Sequence, residues 1–533
     1  MQRHSPATRQ RLLLLALWAL PLAALTACTD ECDTRADCAE FNTASTTYTC
    51  VDNQCVAESV PDAGTDGGMD AGTDGGTDGG TDAGTGPTDG GVALRVLHAV
   101  PDAPAVDVYA QGNATPLATS VSYRATSAYV TVPGGTYTVE LRPAGAAASS
   151  APVFTSAPVT LAAGDRVTAV AAGRLASTDA SDTVRVLPLR ERFATPAAGE
   201  ARLRVVHAAA DAPTVDLDLG DDGTSELTGL QRFADTGEAG INVPAGQALH
   251  VGILAGGTKV TSFTTPTLPD GARAFAVAVG LLSADPASAD AFGLMLVDES
   301  GVLGFVAQDP RVYVLHASPD APAVDAFVGP LKVVNDASFG GLAGPVSLPP
   351  GSATVDLFAH DASSTRPSAS PAATGATGTL EAGRQYLLLV TGFLSASRAR
   401  PLQLLTLQSA FTARAPEASV RAVHASPDAP AVDFGTVAGG TLAPVSGLTN
   451  LSYGTASAAE GVAVAATPAG WGVAPTGTTT PVATSNFTPE SGGRSFLVAA
   501  GLVGPGTGEP GLQLWNVDVG NTPWTTAVMP AMP

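Results

Sequence analysis

Residues 129–143, YVTVPGGTYTVELRP, set apolar against polar positions with a period of two. Tyr137, Val139 and Leu141 fall on one side, and Thr136, Thr138, Glu140 and Arg142 on the other. A Pro-Gly-Gly turn precedes the alternation, and the local pattern predicts strand. VSLPPGSATVDLFAH (346–360) repeats the design with Val355 and Leu357, and INVPAGQALHVGIL (241–254) repeats it with Leu249, Val251 and Ile253. AAEGVAVAAT (458–467) stands at the corresponding place further on, without the Pro-Gly turn, as the least regular version. No stretch carries a long helical period bounded by caps.

These strand patterns sit inside a larger repeat. HAVPDAPAVD (98–107), HAAADAPTVD (207–216), HASPDAPAVD (316–325) and HASPDAPAVD (424–433) recur at intervals of about 109 residues, a domain-sized rather than solenoid-sized period. Downstream of each lies an apolar strand bracketed by two glycines, Gly164/Gly173, Gly271/Gly280, Gly383/Gly392 and Gly492/Gly501. Each repeat closes with an apolar run: VRVLPL, FGLMLV, LQLLTL and LQLWNV. Short strands, frequent turns and about 100 residues per unit predict four tandem, separately cored antiparallel β-sandwich domains of immunoglobulin-like type, with a barrel as the other closure that fits. The repeats span 92–199, 200–308, 309–415 and 416–533.

The motif reads as strand, corner, strand. Two prolines fix φ and push their preceding residues out of the helical region, and the Asp between them can accept from a turn N–H. Strand phase puts Leu94, Val96 and His98 on one face, as it does Leu203, Val205 and His207, and Val312, Val314 and His316. Arg95, Arg204, Arg311 and Arg421 take the opposite face, so the histidine is expected to point inwards.

One constellation can carry chemistry: His98 with Asp102 and Asp107, His207 with Asp211 and Asp216, His316 with Asp320 and Asp325, and His424 with Asp428 and Asp433. The structural expectation is a buried imidazole that bonds an Asp or a turn carbonyl and pins the corner. The alternative is a divalent-metal site, although two or three ligands are few for tight binding. No nucleophile elbow and no zinc-protease helix motif is present. Ser318 and Ser426 follow two of the histidines, but Val100 and Ala209 replace them in the first two repeats. The expectation is a protein that is not an enzyme and holds no cofactor. His250 and His360 are expected at the surface.

The N-terminal residues carry a different signal. Arg3, Arg9 and Arg11 precede LLLLALWALPLAAL (12–25), a signal peptide over 1–27, and the run ends in LTAC (25–28). LTAC resembles a bacterial lipobox, which implies a lipid on Cys28. The lipid would then be the membrane partner, with an outer-membrane location favoured because Thr29 follows the cysteine. Cys32, Cys38, Cys50 and Cys55 crowd into a segment over 28–58 and read as two disulfides of open pairing, their spacings lacking the tight zinc knuckle. Residues 59–91 repeat Asp, Gly and Thr with almost no apolar side chain, a flexible self-repelling linker rather than a calcium-binding repeat.

Composition narrows the partners. The net charge of −23, with charged residues at 14% and Lys only at Lys259 and Lys332, offers no basic stripe for nucleic acid. Aromatic residues make up 5%, and Trp471, Trp515 and Trp524 fall in the last repeat, which leaves no sugar platform in the others. The string HASPDAPAVD with its Gly-flanked strand resembles the bacterial family catalogued as domain of unknown function 4397, over roughly residues 92–525. That resemblance implies exported or cell-surface modules, often repeated, and supplies no catalytic residues. Repeat 2 departs from it with Ala210 and Thr214. The expected function is a cell-envelope interaction, adhesion or spacer module for an unknown protein or glycan ligand. The alternative is carbohydrate or metal binding through the motif or through grooves between domains.

Overall fold

The computed structural model describes residues 48–51, 54–57 and 90–532. The signal peptide, Cys28, Cys32, Cys38 and the linker up to Asp89 lie outside the described residues. Tyr48–Val51 and Gln54–Ala57 form an antiparallel hairpin whose register sets Cys50 opposite Cys55. From Asp82 to the C-terminus the chain forms one compact unit. Every regular element among the described residues is a strand.

Each repeat builds two main sheets, and repeat 1 adds a two-stranded pair of Gly135–Tyr137 with Val159–Leu161. In repeat 1, one sheet runs in the order Arg185–Arg190, Arg166–Ala172, Gly91–Ala99, Val130–Pro133, and the other in the order Ala118–Val121, Val106–Ala110, Val139–Pro143, Phe154–Thr155. The motif strand Gly91–Ala99 and the second strand Val106–Ala110 therefore belong to different sheets, and the proline corner is the crossing point. The plan recurs around the motif strands Glu200–His207, Arg311–His316 and Ala418–His424. In repeat 4 two short strands, Thr455–Ala456 and Val462–Val464, pair beside the motif strand.

The first sheet is not purely antiparallel. In every repeat the motif strand runs parallel to the Gly-flanked strand, pairing His98 with Ala171, His207 with Ala278, His316 with Val390 and His424 with Ala499. Parallel neighbours need a long crossover connection; here the entire second sheet supplies it. The second glycine of each bracket closes this arrangement. Gly173 has φ 106°, and a Cβ there would lie 2.5 Å from the Thr183 carbonyl oxygen, so no other residue fits.

Between the two sheets of repeat 1, Val96, Val106, Val108, Leu141 and Ala171 form one inner cluster. Repeats 2, 3 and 4 have inner clusters of the same kind. Each repeat thus keeps an inner cluster of its own, and the back face of each first sheet is buried as well. Leu97, Ala99 and Val170 of repeat 1 pack with Val206, Phe275, Val277 and Met295 of repeat 2. Tyr313, Leu315, Leu387 and Leu389 of repeat 3 pack with Val423, Phe496, Val498, Trp515 and Trp524 of repeat 4. The repeats therefore form two back-to-back couples, 1 with 2 and 3 with 4. A strand covered on both faces reads as a continuous apolar run, as Gln385–Thr391, QYLLLVT, does: every one of its residues is buried.

The coupling is reciprocal. Arg95, three residues before its motif histidine, donates to the carbonyl of Asp298 at the end of the closing strand of repeat 2 (2.5 Å). Arg204, at the same place in repeat 2, donates to the carbonyl of Arg190 at the end of the closing strand of repeat 1 (2.7 Å). Arg421 repeats the bond to Gln408 across the second couple (2.9 Å). Each face thus meets an equivalent of itself, the geometry of an isologous dimer written within one chain. The four motif-strand arginines do lie opposite the histidine face, but all are buried. Tyr313 rather than Arg311 holds the position equivalent to Arg95, since it stands three residues before His316.

Candidate functional site

The four motif histidines are buried at the corner. Their Nε2 atoms lie 3.1, 2.9, 3.1 and 2.8 Å from the carbonyl oxygens of Pro104, Pro213, Pro322 and Pro430. A carbonyl only accepts, so Nε2 carries the proton. Nδ1 then accepts from the backbone N–H two residues on: Val100 at 3.2 Å, Ser318 at 3.2 Å and Ser426 at 3.3 Å. In repeat 2, where Ala209 and Ala210 stand in the corner, His207 Nδ1 is buried without a partner. Burial pushes all four imidazoles below their usual pKa, against the opposing effect of the proline carbonyl, and so holds them neutral.

The carboxylates serve other strands and make no hydrogen bond to these rings. The first Asp of each motif reaches the loop that follows the Gly-flanked strand. Asp102 accepts from the N–H groups of Leu175 (2.7 Å) and Ala176 (2.8 Å). Asp211 accepts from Leu282 and Ser283, Asp320 from Leu394 and Ser395, and Asp428 from Val503 and Gly504. The partners are not the local turn expected for this residue.

The second Asp sits in the second strand, where its pairing to the edge strand is irregular. Asp107, Asp216, Asp325 and Asp433 accept the N–H of Ser120, Gly229, Asp336 and Asn450, four residues whose φ values are 52°, 72°, 55° and 54°. A carboxylate that satisfies the freed amide of a left-handed residue stabilises the bulge that bends the edge strand. Burial opposes ionisation of Asp325, yet the Asp361 amide, Lys332 (2.8 Å), the Asp336 amide and His360 Nδ1 (2.9 Å) hold its carboxyl well below the usual range. His360 is exposed, as expected, and its bond to Asp325 raises its pKa. No group of three or more potential metal ligands assembles among the described residues, and the motif's His and Asp do not converge on a common point.

The back face holds a second candidate that strand phase alone did not reveal. Where the sheets of repeats 1 and 2 diverge, a cleft of about 1030 Å³ opens between Arg95, Arg166 and Phe193 on one side and Glu299, Leu303 and Phe305 on the other. Glu191 anchors its polar wall, accepting from Tyr129 (2.6 Å) and Thr168 (2.6 Å). Arg95 and Arg166 stack over the Tyr129 ring at 4.7 and 4.3 Å. Burial, and then Glu191, push the Tyr129 phenol up to about 12. The signal in the sequence was an arginine on the outer face of an apolar strand. It reads equally as solvent exposure until the partner sheet is known.

The family described as Domain of unknown function (DUF4397) matches residues 92–218 and 310–435. Over these two regions the chain is similar to DUF4397 repeats. Each DUF4397 match opens on the motif strand of the first repeat in a couple and ends within the second strand of the next repeat. No curated protein matches the chain.

Proposed function

We propose that this chain is a non-catalytic cell-envelope lipoprotein. In this reading a lipid on Cys28 and the linker over 59–91 hold four immunoglobulin-like β-sandwich repeats at the outer membrane, as a surface interaction, adhesion or spacer module for a protein or glycan. One observation carries the non-catalytic part: at every corner the motif His and both Asp are committed to backbone groups. Groups so occupied support a scaffold role. Back-to-back coupling adds rigidity suited to a spacer. A Cys32, Cys38, Cys50 and Cys55 segment with two disulfides would protect the chain near the anchor.

The test has two arms. Palmitate labelling of cells that express the chain should mark the parent and not Cys28→Ala, which should leave the membrane fraction. Calorimetric titration of the mature chain with calcium, zinc and manganese should show no uptake at the four corners. Stoichiometric uptake that disappears in His316→Ala would replace the scaffold reading with the metal one.

A further inference from the structure

The two couples are built alike but finished differently. In repeat 4 the closing strand Gln513–Asp518 is followed by a loop that carries Trp524 before the edge strand Thr525–Val528. Trp524 is buried in the shared core and stacks on Tyr313, with ring centroids 4.2 Å apart and planes within 7° of parallel. In repeat 2 the closing strand Gly293–Asp298 turns through only Glu299 and Ser300 into the edge strand Gly301–Ala307. No aromatic side chain is delivered there, and Arg95 stands where Tyr313 does. The cleft lies at this place, lined by Arg95, Glu299 and the strand that carries Leu303 and Phe305.

We propose that the cleft between repeats 1 and 2 binds a small aromatic carboxylate, whose ring takes the place that the Trp524 indole fills in the other couple. The volume of about 1030 Å³ suits a small-molecule site, which typically spans about 300–1,000 Å³. Flat cationic and aromatic surfaces are already stacked around the cleft. Arg95 and Arg166 face Tyr129, and Arg124 lies 3.7 Å from the centroid of Phe305. Guanidinium planes and phenyl faces both accept a further ring. The polar end of the ligand meets Arg95, which is 1% exposed and whose Nη2 makes no hydrogen bond, only an ion pair with Glu191 at 3.4 Å. A ligand carboxylate in good hydrogen-bond geometry would compete with Glu191 for this guanidinium.

The probe is indole-3-acetate, titrated into the mature full-length chain by calorimetry, with cyclohexaneacetate as the non-aromatic control. Leu303→Trp places an indole across the mouth from a side chain that is 52% exposed, so the fold is kept. The expected result is one site per chain, weakened about tenfold or more both by Leu303→Trp and by the change to cyclohexaneacetate. No uptake of indole-3-acetate by the parent at millimolar concentration would overturn the assignment. Equal affinity in Leu303→Trp would overturn its location, and equal affinity for the saturated control would overturn recognition of the ring.

Discussion

Replacing His316 by Ala is the most direct test of the corner. The imidazole is fully buried, donates to the Pro322 carbonyl at 3.1 Å and accepts from the Ser318 amide at 3.2 Å. Removing it leaves both backbone groups without a partner, at about 1–3 kcal/mol each, so the expected loss is about 3 kcal/mol. For a cooperative couple of this size that lowers the melting midpoint by about 6–12 °C, read by calorimetry on the mature chain. His207→Ala should cost less, because His207 makes only the Pro213 bond, at 2.9 Å, and its Nδ1 already lacks a partner.

Acid supplies an independent readout. Burial lowers the folded-state pKa of His316 below its ordinary value of 6.5, so the unfolded chain takes up the proton first. The stability contributed by the neutral ring is complete above about pH 6.5 and is lost as pH falls from there towards the folded pKa. His316→Ala should flatten that slope by one proton. Equal midpoints for parent and His316→Ala, or an unchanged acid slope, would refute the pinning role.

Three further outcomes follow from particular contacts. Gly173→Ala forces a side chain at φ 106° to within 2.5 Å of the Thr183 carbonyl oxygen, and it should cost about 3 kcal/mol or more in chemical denaturation. Trp524→Ala removes a buried ring from its stack on Tyr313 and should lower the stability of the second couple by about 3–5 kcal/mol, while an unfolding transition assigned to repeats 1 and 2 stays in place. The bond from His360 to Asp325 raises the pKa of His360, so its stabilisation is complete below the unfolded value of 6.5 and is lost as pH rises through the folded value. His360→Gln should therefore shrink the difference between midpoints measured at pH 6 and pH 8.

Strand phase made the corner legible. The alternation Leu94, Val96, His98 places the imidazole with the inner cluster residues, because a period of two admits only two faces. The partners of Asp102 were not legible, since the amides of Leu175 and Ala176 lie more than seventy residues downstream and only the parallel pairing brings them near. The coupling of repeats was written in runs such as AFAVAV (274–279) and YLLLVT (386–391), which have no polar side to offer water. Those runs say that both faces are covered without naming the cover. The cleft was the least visible feature, because it depends on how long the loop after a closing strand is, and loop length alone does not reveal whether a side chain folds back.

An array assembled by mutual backing has a parity. Deleting or adding one unit would strip the cover from a sheet such as the one that carries Phe275 and Val277, and would leave a broad apolar wall facing water. Length can therefore change safely only in steps of two, and a chain with an odd number of units would have to recruit a sister molecule to restore an even count.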